Sequence, residues 1–236
     1  MTHPSSDIAF TPAVKAAQKQ RGSRAHYEKI EARGGFSTGI TEELAQFLET
    51  VDTAFLATSS AAGQPYAQHR GGPRGFILVV DAHTLGFVDF TGNRQYISTG
   101  NLAENDRAFL IAIDYAHRRR VKLWGRARVV TGDAALIARL TPDGYRARPE
   151  QAILFTVEAW DVNCPQHIPQ KIDAADVAAA LDRLQRRIAE LEAENAGLRR
   201  AMEGGGAGKG AAAATKGDAE ESGTRLDRHS GRSEAI

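Results

Sequence analysis

The chain contains 236 residues, with 30 basic and 29 acidic side chains, which gives a formal net charge of +1. This balance provides no bulk field of the kind that attracts nucleic acid or a membrane surface, and we expect neither as a partner. The single cysteine, Cys164, excludes a disulfide within the chain and is typical of a reducing compartment. No secretory signal and no apolar run long enough to span a bilayer is visible, so the sequence predicts a cytoplasmic protein.

Residues 1–40 predict a short helical arm. Thr11 followed by Pro12 is typical of a helix start, because a threonine side chain caps free N–H groups and proline suits the first turn. Thr41 marks the next helix start in the same way. We therefore separate this arm from a main domain that spans residues 41–172.

From Val51 onward, short apolar or alternating runs are separated by turn residues, which predicts β-strands. The expected strands are residues 54–58, 65–70, 76–81, 84–90, 108–115, 120–130 and 152–162. The run 76–81 is apolar without a break up to Asp81 and predicts a strand that is buried on both faces. The connections are short, and the chain has neither a βαβ rhythm nor a G-x-G-x-x-G loop. We therefore predict a mainly β fold, a β-barrel with short flanking helices.

The turn after the strand 84–90 predicts an anion-binding site. Asn93 is a good candidate for the N-cap of a following helix, which places Arg94 and Gln95 in the first turn. A helix N-terminus offers unpaired N–H groups and partial positive charge, and a guanidinium adds charged donors, so the combination suits a phosphate. An ordinary turn with a surface arginine is the alternative.

Four polar segments are candidates for a common site. They are Gln68-His69-Arg70 on one strand, Asn93-Arg94-Gln95 in the turn, the strand from Arg120 to Arg126, and the segment from Asn163 to His167. A structural explanation is available for some of them, because a strand arginine often pairs with an acid and a single histidine is usually structural. Cys164 and His167 have C-x-x-H spacing, but one such pair supplies too few ligands for structural zinc, so we expect no metal site.

Three motifs resemble the FMN-binding split β-barrel proteins, which are related to pyridoxamine 5′-phosphate oxidase. They are D-F-T-G-N-R-Q before a helix, then N-D-R-A-F-L-I-A-I-D, then R-R-V-K-L-W-G-R-A, and the resemblance covers about residues 40–165. It implies a homodimer of split barrels with FMN bound at the subunit interface. It also implies an FMN-dependent oxidoreductase that acts on a small-molecule substrate.

The resemblance implies roles for individual residues. In the oxidase a serine-arginine-lysine run holds the flavin phosphate, and Asn93, Arg94 and Gln95 stand in its place. Other positions matched to the cofactor site are Gln68, His69, Arg70, Val88, Asp89 and Arg120. Hypothetical hydrogen-bond donors to the flavin ring or substrate are Asn163, Gln166 and His167. Gln95 replaces a lysine and the oxidase's C-terminal arginine-x-histidine motif is absent, which argues against pyridoxamine phosphate as the substrate.

Beyond Asp173, apolar residues recur in alternating steps of four and three, the heptad pattern of a coiled coil. The d positions are Val177, Leu184, Leu191 and Leu198, and the a positions are Leu181, Ile188, Asn195 and Met202. Leucine at d with one asparagine at a predicts a parallel two-stranded coiled coil over residues 173–203, which reinforces a barrel dimer. A helix packed on its own barrel is the alternative. Residues 204–236 have almost no large apolar side chain, so we expect a disordered tail.

Two other functions remain open on the sequence. One is a non-catalytic flavin-binding or storage module whose coiled coil recruits partners. The other keeps the barrel but binds haem or a deazaflavin, with His69 and His167 as the candidate haem ligands. No acid–base or nucleophilic triad is evident, which suits chemistry that a cofactor carries out.

Overall fold

The computed structural model describes residues 3–162 and 164–206. The chain divides into two compact units, Met1–Ala174 and Ala175–Ile236. Asn163 and the part of the predicted tail from position 207 onward lie outside the described residues. Among the described residues, no helix is both long and apolar enough to cross a membrane.

Four short helices precede the sheet in the first unit. They are a 3-10 helix, Ser5–Ile8, and the α-helices α1 (Pro12–Gln20), α2 (Arg24–Glu31) and α3 (Glu42–Glu49). Thr11 and Thr41 cap α1 and α3 as predicted, each accepting a hydrogen bond from a first-turn N–H at 3.3 Å. The segment before α3 is attached to the sheet, because the indole N–H of Trp160 donates to the Gly39 carbonyl at 2.7 Å.

Seven antiparallel strands form one sheet in the order β2-β1-β5-β6-β7-β4-β3. The strands are β1 (Thr53–Ser59), β2 (Pro65–Gly71), β3 (Leu78–Val79), β4 (Thr84–Phe90), β5 (Arg107–Asp114), β6 (Arg119–Val130) and β7 (Pro149–Val162). The helices α4 (Ile97–Glu104) and α5 (Ala134–Leu140) lie between strands in the chain. The predicted mainly β fold with flanking helices is confirmed.

The apolar run 76–81 differs from its prediction. Its paired part is β3, an edge strand beside β4, and the side chains of Leu78 and Val79 are exposed. Phe76 and Ile77, which precede the strand, enter the core instead. The prediction of a strand buried on both faces is therefore wrong, because a continuous apolar run also arises where a loop inserts side chains into the core.

The sheet coils around a main hydrophobic core. Five strands contribute a fully buried residue to the same cluster: Leu56, Leu85, Leu110, Leu123 and Phe155. Since strands near opposite ends of the sheet share this core, the sheet must curl into a barrel. No backbone pairing joins β2 to β4 among the described strands, although their side chains meet. That gap is the split in the barrel.

The second unit is built on one long helix, α6 (Ala174–Gly206). Its side chains at the predicted a and d positions are exposed. The described part of the second unit is this single helix. No other described residue of the unit covers the apolar stripe.

Candidate functional site

A small polar cavity lies at the split of the barrel, where β2, β4 and the segment leading into α4 meet. Six of the predicted cofactor-binding residues line it: Gln68, Arg70, Asp89, Asn93, Arg94 and Gln95. These residues come from three separate stretches of the chain. The structure thus brings together half of the predicted positions at one place.

Arg70 and Asp89 form an ion pair across the split. Arg70 Nη1 donates to Asp89 Oδ1, and Arg70 Nη2 donates to Gln68 Oε1 at 2.9 Å. The side chain of Arg70 is 8% exposed, and its buried Nε has no hydrogen-bond partner among the described residues. A guanidinium in such low-dielectric surroundings depends on its carboxylate partner, because an unpaired buried charge is costly.

Three residues that sequence reasoning missed complete this polar network. Gln151 on β7 donates from Nε2 to Asp89 Oδ2 at 2.9 Å and to Thr99 Oγ1 at 3.0 Å. The Ser98 hydroxyl donates to Gln68 Oε1 at 2.7 Å. Gln151 directly precedes the apolar run 152–155 of β7 and is itself buried, and a polar side chain beside such a run is the signal that could have pointed to it. Ser98 and Thr99 carry no such signal.

The turn between β4 and α4 is not the helix start that the sequence predicts. Asn93 Oδ1 accepts a hydrogen bond from the Gln95 N–H at 3.4 Å, which closes a turn that spans residues 93–95. Arg94 and Tyr96 both have left-handed backbone, with φ of 58° and 52°. The helix therefore begins at Ile97, and the prediction of Asn93 as N-cap is wrong. Asparagine stabilises such turns and helix caps by the same side-chain bond, so sequence alone does not separate the two.

The N-terminus of α4 opens into the cavity. Ile97, Ser98 and Thr99 line it, and Tyr96 at the N-cap position supplies no side-chain cap for the first-turn N–H groups. The Tyr96 hydroxyl donates instead to Glu150 Oε1 at 2.6 Å. This hydrogen bond to a carboxylate raises the pKa of Tyr96 above its ordinary value, so the phenol stays a donor. Uncapped N–H groups and the helix dipole together favour an anion.

Arg94 adds a charge to this cavity. It is exposed, and it makes no hydrogen bond or ion pair with any residue that the structure describes. The cavity volume is about 50 Å³. Pockets that hold a whole drug-sized ligand measure roughly 300–1,000 Å³. The cavity therefore has room for a small anionic group and not for a whole cofactor.

The other predicted residues lie elsewhere. His69 alternates with Gln68 and Arg70 along β2, so it faces the opposite side of the sheet, where its ring packs edge-on to Phe55 at 5.5 Å. Val88 is buried in a second apolar cluster. Arg120 is half-buried on β6 and its Nε lacks a partner within the described residues.

The segment after β7 does not reach the cavity in its described part. Gln166 and His167 are exposed in a turn, and His167 has a φ of 63°. Asn163 lies outside the described residues. Cys164 is a free, exposed thiol. No group of three metal-ligating side chains occurs in the part of the chain that the structure describes.

The outer face of β1, β5 and β6 carries a half-buried apolar patch. We define it by Phe55, Phe109, Ile111 and Trp124, which occupy neighbouring positions in the strand register. Phe36 from the arm stacks on Trp124 with ring centres 5.2 Å apart. A cavity of about 270 Å³ opens beside Phe109 and Trp124. Large apolar side chains on the outer face of a barrel are typical of an interaction surface.

The amino-acid sequence of residues 40–164 matches the family described as pyridoxamine 5′-phosphate oxidase. That segment is more than half of the 236-residue chain and contains all seven strands. The chain therefore belongs to this family, as its motifs predict. No curated protein matches the chain at a significant level.

Solved structures from several bacteria are similar in fold. HupZ of Group A Streptococcus is 20% identical with a TM-score of 0.43, covering 56% of this chain and 99% of its own. A putative pyridoxamine 5′-phosphate oxidase of Lactobacillus delbrueckii is 19% identical with a TM-score of 0.40, covering 53% and 99%. An FMN-binding protein of Syntrophomonas wolfei is 9% identical with a TM-score of 0.41, covering 62% and 97%. Similarity of this degree says nothing about what this chain binds.

Proposed function

We propose that this protein is an FMN-dependent oxidoreductase that holds the phosphate of FMN in the cavity at the barrel split. The observation that carries the proposal is the meeting of Arg94 with the uncapped N-terminus of α4 in one small cavity. A guanidinium and first-turn N–H groups are the donors that a phosphate prefers. Family membership supports the same cofactor.

The polar groups of the cavity leave donors over for an anion. Of the two carboxylates that line it, Asp89 is paired with Arg70 and accepts a hydrogen bond from Gln151, and Glu150 accepts the hydrogen bond from Tyr96. Arg94 keeps its charge without an ion-pair partner among the described residues. The buried Nε of Arg70 is a further donor in need of an acceptor.

The chain's own residues bind and orient the cofactor in this proposal. FMN, when bound, supplies the hydride or electron transfer. The cavity of about 50 Å³ is too small for the isoalloxazine ring, so its residues would hold the phosphate alone. No acid–base residue is assigned to the reaction, and the substrate is an unidentified small molecule.

We also propose that two barrels form a homodimer through the apolar patch on β1, β5 and β6. Each of the four patch residues keeps part of its apolar surface exposed in the single chain. Burying such surface against a second copy is favourable, at about 25 cal/mol per Å². The family resemblance implies the same assembly.

An absorption spectrum of the purified protein, with mass spectrometry of the released ligand, tests the cofactor. We expect the bands of an oxidised flavin and the mass of FMN. A Soret band would show instead that the barrel binds haem, and the mass of a deazaflavin would show that it binds a deazaflavin. Either result overturns the assignment of FMN. A colourless protein that also fails to bind added FMN overturns the proposal.

A further inference from the structure

The helix α6 exposes an apolar stripe that Asn195 alone interrupts within the described residues. Its large apolar side chains at a and d positions are between 39% and 78% exposed: Val177, Leu181, Leu184, Ile188, Leu191, Leu198 and Met202. Seven such side chains on one face of one helix form a seam that no described residue covers, rather than scattered surface residues. Their spacing in steps of four and three is that of a coiled coil.

We propose that α6 pairs with α6 of a second copy of this chain as a parallel, in-register, two-stranded coiled coil. The argument rests on the charges that flank the stripe. Arg187 and Glu194 occupy g positions, whereas Glu192 and Arg199 occupy e positions. In a parallel pair, a g residue meets the e residue of the next heptad in the partner helix.

This register makes every charged flanking pair attractive. Arg187 meets Glu192 of the second copy, and Glu194 meets Arg199 of the second copy. By symmetry each pair forms twice, and no like charges meet. The e and g positions of this helix therefore complement those of an identical helix. This complementarity favours a second copy of the chain as the partner.

The alternative antiparallel pairing fits less well. With the whole stripe aligned, Asn195 then faces Leu184 of the second helix, and its amide is left without a partner in an apolar seam. In the parallel register Asn195 meets Asn195, and the two amides can hydrogen-bond to each other. Antiparallel pairing also keeps the attraction of Arg187 for Glu194 but loses the match for Glu192, which faces Gln185.

Disulfide trapping in the full-length chain tests this pairing. In a Cys164→Ser background, Leu191→Cys places one thiol at a d position, where the two thiols of a parallel pair lie across the seam within disulfide distance. We expect an interchain disulfide on a non-reducing gel after equilibration in glutathione buffer. The matched control is Ala193→Cys, which lies at an outward f position and should remain unlinked. Equal linking of the two variants overturns the proposal.

Charge swaps in the Leu191→Cys chain test the orientation. Arg187→Glu turns two attractive pairs into two repulsive ones. It should therefore lower the equilibrium constant for formation of the interchain disulfide by roughly ten-fold. Adding Glu192→Arg should restore linking, whereas adding Glu194→Arg should not. Restoration by Glu194→Arg and not by Glu192→Arg would overturn the parallel assignment. None of these readouts depends on flavin.

Discussion

Arg94 is the residue on which binding of the phosphate depends most in our proposal. It is the exposed guanidinium of the cavity and has no ion-pair partner among the described residues, so a bound phosphate is its natural counter-ion. The left-handed backbone at Arg94 and Tyr96 costs roughly 1–3 kcal/mol per residue. Such strain at a turn is consistent with a backbone held in place for binding.

We predict that Arg94→Ala weakens FMN binding by about 10- to 100-fold, because a charge-assisted hydrogen bond contributes roughly 1.5–3 kcal/mol. Titration of flavin fluorescence measures the affinity. The control is Arg128→Ala, which removes an exposed arginine of β6 that does not line the cavity. Equal affinities for the two variants would contradict the phosphate site.

Asp89 has a structural role beside its place in the cavity, because its pair with Arg70 bridges the split between β2 and β4. We predict that Asp89→Ala lowers the free energy of unfolding by about 3–5 kcal/mol, since it leaves the buried guanidinium uncompensated. Denaturant unfolding gives the value.

A surface ion pair provides the comparison for Asp89. Asp106 pairs with Arg126 at 2.7 Å, but both side chains are about half exposed. Because water screens such pairs, Asp106→Ala should cost only about 0–1 kcal/mol. A similar loss in both variants would mean that the pair at the split is no more important than a surface pair.

At the scale of elements, Gly125 allows β6 and β7 to approach each other. The register of the two strands shifts at Trp124 and Gly125, and a Cβ built on Gly125 lies 1.9 Å from the carbonyl oxygen of Thr156. Backbone there cannot move aside without breaking the strand pairing. The position therefore requires glycine for space rather than for flexibility.

We predict that Gly125→Ala lowers the free energy of unfolding by about 1–3 kcal/mol, as overpacking does in a tight core. Gly100 in α4 is the matched control, because a Cβ there meets nothing within 4 Å. Gly100→Ala should raise stability by about 0.5–1 kcal/mol through helix propensity. Thermal unfolding of both variants should therefore show shifts of opposite sign.

The elements themselves were mostly predictable, and the two errors have one physical cause. Strand positions follow from apolar alternation, which is a local property of the chain. Both errors, in the run 76–81 and at the start of α4, lie next to turns. The same residue types are compatible with two different backbone conformations there. Apolar residues fill a strand or a loop that enters the core, and Asn93 caps a helix or closes a turn.

At the scale of the whole molecule, dimerisation of the barrel can be separated from that of the helix. A chain that ends at residue 173 lacks α6, and we predict that it remains a dimer in light scattering because the apolar patch on β1, β5 and β6 is intact. Adding Phe109→Asp should give a monomer, since it places a charge in the patch. The control Thr156→Asp, at an exposed position of β7, should leave the dimer unchanged. A monomeric truncated chain with Phe109 intact would assign dimerisation to α6 instead.

The sequence by itself determined the mainly β class, the family, and the heptad pattern of α6, because each is encoded in local periodicity or in short motifs. The candidate site was decided by tertiary structure. Arg70 and Asp89 are 19 residues apart, and Asp89 and Gln151 are 62 apart. No local sequence pattern predicts that these side chains are in contact. The coiling of the sheet brings β2 to β4, and the register of β4 on β7 sets Gln151 opposite Asp89. Pairings between distant strands depend on the global register of the sheet, so they appear only once the whole barrel has closed around its core.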